Sequence, residues 1–214
     1  MRTITRTYVI YHYDELSDKA KEKVKAWYLN DDSRTIEFED EYTENLRYLF
    51  KNSRLSLQFS LAYCQGDGLN IYGELDLEDV FTVISDRSFW GEYFKNYWDA
   101  LTDHEIKTLR FYMDVCGKYI KLPRNNGYYS FCIADRTEFA EDWIEELIFG
   151  RYRGIQTDII YKLENLVISI FSFLAKKYEE YGYKYIYDVD EDEISEVCES
   201  IGWEFFEDGR YFAE

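Results

Sequence analysis

The side chains that could do chemistry here are few in kind. Cys64 lies beside Gln65-Gly66-Asp67-Gly68, and His12 and His104 are the two histidines of the chain. A cysteine nucleophile needs a base within hydrogen-bond reach and a third group to orient that base. No local spacing supplies them, and no serine- or cysteine-nucleophile signature occurs, so Cys64 reads first as a small strand residue on a polar face. The QGDG segment lacks the further glycines and the GK[ST] step into a helix that a phosphate-binding loop needs. It reads as a turn in which Asp67 hydrogen-bonds back to nearby amides. An enzyme acting on a small molecule or a host protein is an alternative reading, and it requires a pocket that gathers Cys64, Asp67 or His12.

Carboxylates are the larger signal. Asp188, Asp190, Asp192 and Glu199 fall at positions 1, 3, 5 and 12 of a twelve-residue calcium loop, which makes a calcium-dependent adaptor a further alternative. Glu193 stands where such a loop needs glycine, and Ser195 where an apolar residue packs. Ile194, Val197, Cys198 and Ile201 recur at helical spacing, so the stretch reads as the acidic start of a helix, and no metal or other cofactor is expected. Three acidic faces stand out: Glu37, Glu39, Asp40, Glu41 and Glu44; Glu138, Glu141, Asp142 and Glu145; and Asp190, Glu191, Asp192 and Glu193. A solvated surface is the plain reading of each. The functional reading is a carboxylate array that imitates nucleic-acid phosphates and docks into a basic groove. No catalytic residue is assigned.

The whole chain has the same bias. With 43 acidic against 25 basic residues its formal net charge is −18. Direct binding to DNA, RNA or an anionic membrane is therefore not expected, because phosphate contacts need lysine and arginine in excess. A protein that itself binds nucleic acid is a better match for such a surface. The N-terminus lacks a secretory apolar core, the apolar run 166–175 is too short to span a bilayer, and the four cysteines include no CxxC pair. These point to the cytoplasm and reduced thiols.

The elements that must position these residues follow from periodicity. Residues 55–77 alternate apolar and polar side chains around Gly66-Asp67-Gly68, which predicts an antiparallel hairpin with one buried face. A strand is expected over 3–13, a helix over 18–30 capped by Ser17 with Ala20, Val24 and Trp27 inward, and a second helix over 36–51. Aromatic residues at helical spacing predict a helix over 88–101. Thr102 and Glu105 form a capping-box pattern for another helix, ended by Gly117. A second hairpin is expected to turn at Asn125-Asn126-Gly127, and Asp135 and Glu138 to start the next helix. The longest helix should cover 156–181, followed by one near 191–201 and a short hairpin around Asp208-Gly209. The class is α+β: antiparallel hairpins in an N-terminal β-α-α-β-β unit, packed with a helical C-terminal part. The expected division is 1–85 and 86–214, packed together.

Two segments also carry a resemblance. YDELSDKAKEKV from Tyr13 and FSLAYCQGDGLNIYG from Phe59 resemble, in order and separation, a family of small bacteriophage and prophage proteins. The resemblance covers about residues 8–77 and implies a phage or mobile-element origin. Acidic phage proteins of this size without catalytic signatures are similar in character to inhibitors of host defence such as anti-CRISPR proteins. That context implies a non-enzymatic inhibitor of a host CRISPR effector nuclease, of Cas9 type, or of another nucleic-acid-binding defence protein. Sequence leaves the oligomeric state open.

Overall fold

The computed structural model describes residues 6–30, 32–64, 66–88, 91–124 and 137–213, and of Gly91 and Glu92 the backbone alone. The fold is α+β. Among the described residues there are seven α-helices and one three-stranded antiparallel sheet. None of those helices is long and apolar enough to cross a membrane. The chain divides into two compact units, one made of its two ends, 1–38 with 183–214, and the other of 39–182. The division expected from the sequence ran in chain order; the compact units do not.

In the first unit, helix α1 (Asp18–Leu29) buries Ala20, Val24 and Tyr28, one residue per turn, against Leu16, Val189, Ile194, Cys198 and Phe205. Trp27, expected on this stripe, is only half-buried and stacks on Tyr211 with ring centroids 5.2 Å apart. Helix α7 (Glu191–Ile201) forms where expected, with Asp190 accepting from the Glu193 amide at 2.8 Å. The expected strand over 3–13 does not form over its described residues. Tyr11 instead makes a single antiparallel bridge with Phe205, which also bridges Tyr211. This is the short hairpin foreseen around Asp208-Gly209. Gly209, at φ +81°, leaves no room for a side chain, since a Cβ there would lie 2.4 Å from the Ala20 carbonyl oxygen.

The long helices α2 (Ser33–Leu49) and α6 (Thr157–Tyr187) each contribute to both units. Buried Arg34 organises the near end of α2. Its guanidinium donates to the Tyr28 hydroxyl at 3.1 Å, to Glu193 and to the Tyr185 carbonyl, and lies over the Tyr28 and Tyr185 rings.

In the second unit, strands β1 (Arg54–Ser60) and β2 (Gly68–Asp76) form the expected hairpin, with Leu57 opposite Ile71 and Phe59 opposite Leu69. β1 ends at Ser60, so the connection is longer than a tight turn. Asp67 holds it together, accepting from the Ala62 and Cys64 amides at 2.8 and 3.0 Å and from the Ser60 hydroxyl at 3.0 Å. Leu77 does not continue β2. It opens helix α3 (Leu77–Ser85), an element sequence reading missed, whose N-cap is the fully buried Asp76. Lys118, 42 positions away, donates to that carboxylate at 2.6 Å.

Residues 91–97 are a 3-10 turn where a helix over 88–101 was expected; Phe89 lies outside the described residues. Helix α4 (Asp103–Cys116) has the capping box of Thr102 and Glu105 and ends at Gly117. Strand β3 (Tyr119–Leu122) pairs with β2, Leu75 opposite Ile120. The remainder of the second hairpin, with its turn at Asn125-Asn126-Gly127, lies outside the described residues, as does Asp135. Helix α5 (Ala140–Phe149) is not capped by Glu138, which is exposed. The Phe139 and Ala140 amides donate to Glu164 of α6 at 2.6 and 2.8 Å. A carboxylate that meets two orphan amides substitutes for a local cap. Leu163, Val167, Ile170, Phe171 and Leu174 of α6 form the centre of this unit's core, and Phe171 meets Phe50 at 5.1 Å.

Candidate functional site

The acidic faces survive folding unequally. On α2, Phe38 and Leu46 turn inward, so Glu37, Glu39, Asp40, Glu41 and Glu44 fall on the exposed side. Glu37 accepts from the Tyr185 hydroxyl at 3.2 Å. On α5, Ala140, Trp143 and Leu147 are buried, leaving Glu141, Asp142, Glu145 and Glu146 outward, with Glu138 exposed just before the helix. No lysine or arginine occurs in α5. Among the described residues, none of Glu39, Asp40, Glu41, Glu44, Glu138, Glu141, Asp142 and Glu145 is in an ion pair.

The third array is different. Glu193 is half-buried and ion-paired with Arg34, and Asp190 is occupied as the helix cap. Both serve the fold of the first unit. Glu191 and Asp192 are left exposed on the first turn, where the positive end of the helix favours them. The same helix takes up the calcium-loop pattern of 188–199 from its fourth position onward. Among the described residues no group of three or more His, Cys, Asp or Glu side chains is placed to hold a metal ion.

The charge on α5 is dense. Four carboxylates in six residues span a rise of about 9 Å, or about one charge per 2.3 Å, against about one per 1.7 Å along duplex DNA. The segment 39–44 of α2 has the same count in the same length. At the end of the α5 stripe, Ile148 and Phe149 are also exposed, Phe149 at 87%. Two large apolar side chains thus stand in water beside the acidic stripe.

The Cys64 thiol donates to Asp67 at 3.1 Å, and that hydrogen bond, with slight burial and the carboxylate's charge, pushes its pKa up. A thiol held protonated is a weak nucleophile. Both residues belong to the hairpin loop of the second unit. His12 belongs to the first unit, where it lines a cavity of about 280 Å³ with Asp14, Ser195 and Cys198. Ser195 donates to Asp14 at 2.7 Å, and burial pushes the Cys198 thiol up to about 11. Cys116 is pushed to about 11 for the same reason. Cys64, Cys116 and Cys198 are all free.

Sequence reading missed a second kind of surface. The second unit has a cavity walled by tyrosines from α2, α6 and the 3-10 turn. The signal was available, since Tyr42, Asn45 and Tyr48 recur every three residues on α2, but their meeting with Tyr178 and Tyr181 is tertiary.

Fold and surface thus define an α+β protein of two compact units with exposed acidic helices. No family model, curated protein or solved structure matches the chain.

Proposed function

We propose that this chain is a phage-encoded, non-enzymatic inhibitor that occupies the basic nucleic-acid groove of a host defence nuclease in the host cytoplasm, a CRISPR effector of Cas9 type in the first instance. The observation that carries the reading is the pair of exposed carboxylate arrays on α2 and α5, which no cation of the fold neutralises among the described residues. Their charge per unit length approaches that of a nucleic-acid duplex, so a groove built for phosphates meets a comparable field. Phe149 adds an apolar anchor beside the α5 array, and such anchors supply affinity that rim charges alone do not.

The test is binding to purified Cas9-type effectors across a salt series, with competition by target DNA. Binding should be tight at low salt and weaken as salt screens the arrays. Glu141→Lys combined with Glu145→Lys should weaken it at least about tenfold at low salt, and by less at high salt. A panel of such effectors that shows no binding at low salt overturns the proposal.

A further inference from the structure

The tyrosine cavity shares helix α2 with one acidic array, but the inference drawn from it is independent of the function proposed above. It has a volume of about 190 Å³ and is lined by Tyr42, Tyr48, Tyr93, Tyr178 and Tyr181 together with Asn45 and Leu49. That is roughly the space of six water molecules, enough for a compact head group. The rings do not stack flat on one another. Tyr42 meets Tyr178 edge to face, with centroids 4.8 Å apart at 72°, and Tyr181 at 6.3 Å and 36°. The Tyr93 and Tyr181 hydroxyls lie 3.0 Å apart and tie the 3-10 turn to α6. Five phenol rings thus converge on one small space.

Among the described residues no charged side chain lines the cavity. Burial, followed by hydrogen bonding to Tyr181 and by neighbouring phenols, pushes the Tyr93 hydroxyl upward, and burial does the same for Tyr178. The wall is uncharged and mostly aromatic, and the faces of aromatic rings are negative and attract a cation placed within about 6 Å of the centroid. Lys51 already places its ammonium 5.4 Å from the Tyr48 ring. A carboxylate or phosphate would find no cation among the lining residues. A lysine ammonium would lose most of its hydration on entry, whereas an alkylated ammonium is weakly hydrated and presents methyl groups to the rings.

We propose that this cavity is a binding site for a compact alkylated ammonium group, the chemistry shared by choline and trimethylated lysine. Affinity comes from the ring faces, with the protein's net charge of −18 raising the local cation concentration. The experiment is calorimetric titration of the full chain with choline chloride at constant ionic strength, beside 3,3-dimethylbutan-1-ol, its neutral carbon isostere. Choline should bind at least about tenfold more tightly than the isostere. Tyr42→Leu should abolish that preference and Tyr178→Phe, which keeps the ring, should retain it. Should Tyr42→Leu fail to fold, Tyr48→Leu on the exposed rim serves in its place. A peptide with one trimethyllysine, run in parallel, assigns the source: tighter binding than choline supports a protein side chain, weaker binding a free small molecule. Equal affinity for choline and its isostere, or no binding of choline or the peptide at tens of millimolar, overturns the proposal.

Discussion

Replacing Asp79 with alanine tests how the sheet is joined to α3. Asp79 is 3% exposed and accepts three hydrogen bonds: from the Asn52 amide at 2.9 Å, the Asn52 side chain at 2.8 Å and the Ser53 hydroxyl at 2.7 Å. Ser53 in turn accepts from the Asp76 amide at 2.9 Å, so the network reaches the residue that caps α3. Bonds to an ionised acceptor contribute about 1.5–3 kcal/mol each, so three would give roughly 5–9 kcal/mol. Removing the carboxylate from water opposes this by several kcal/mol. Alanine removes both terms and leaves partly buried donors unpaired, for a net loss of about 3 kcal/mol. In a unit of this size that is a fall in Tm of roughly 6–12 °C. Asp79→Asn keeps the shape but turns an amide NH2 toward donors, so its loss should be similar. Urea unfolding followed by far-UV circular dichroism, beside a thermal melt, measures both variants. A loss below about 1 kcal/mol for Asp79→Ala would refute the reasoning, because three satisfied bonds to a buried charge cannot be that weak.

Two further perturbations test the helix ends. Glu164→Ala removes the acceptor for the Phe139 and Ala140 amides, should cost about 1–2 kcal/mol, and should speed hydrogen exchange in the first turn of α5 more than in α4. Lys162 donates to Glu105 at 2.6 Å and, with the Thr102 amide, holds that carboxyl at about 2, below its ordinary 4.5. A folded-state pKa below the unfolded one stabilises the protein fully above about pH 4.5, and the contribution is lost as pH falls toward 2. Lys162→Met should therefore lower stability at pH 7 by more than at pH 2.5, measured by denaturant unfolding at each pH; an equal loss at both would contradict this.

Much of the secondary structure was legible because its causes are local. The Thr102–Glu105 capping box, the stripe of Ile194 and Cys198 in α7, and the alternation of Leu55, Leu57, Leu69 and Ile71 each involve residues within a turn or a strand of one another. The acidic character of α2 and α5 was legible for the same reason, since inward apolar residues fix which acids face out. α3 was missed although Leu77, Val80, Phe81 and Ile84 carry helical spacing, because Leu75 and Leu77 also continue the alternation of β2. The strand expected over 3–13 had suitable residue types, but among its described residues only Tyr11 pairs, with Phe205, and a strand needs a partner along its length.

By itself the sequence determined the α+β class, most helix positions, the main hairpin and the excess of exposed carboxylates. These rest on periodicities and caps that span a few residues. Only tertiary structure withdrew Glu193 from that excess, through Arg34 159 positions away, and brought Lys118 and Glu164 to the starts of α3 and α5 across 42 and 25 positions. Tertiary structure also brought the two chain ends into one unit and assembled the tyrosine cavity from three separate elements. Such pairings depend on where distant segments meet, and that is set by burial of the whole core rather than by any local pattern.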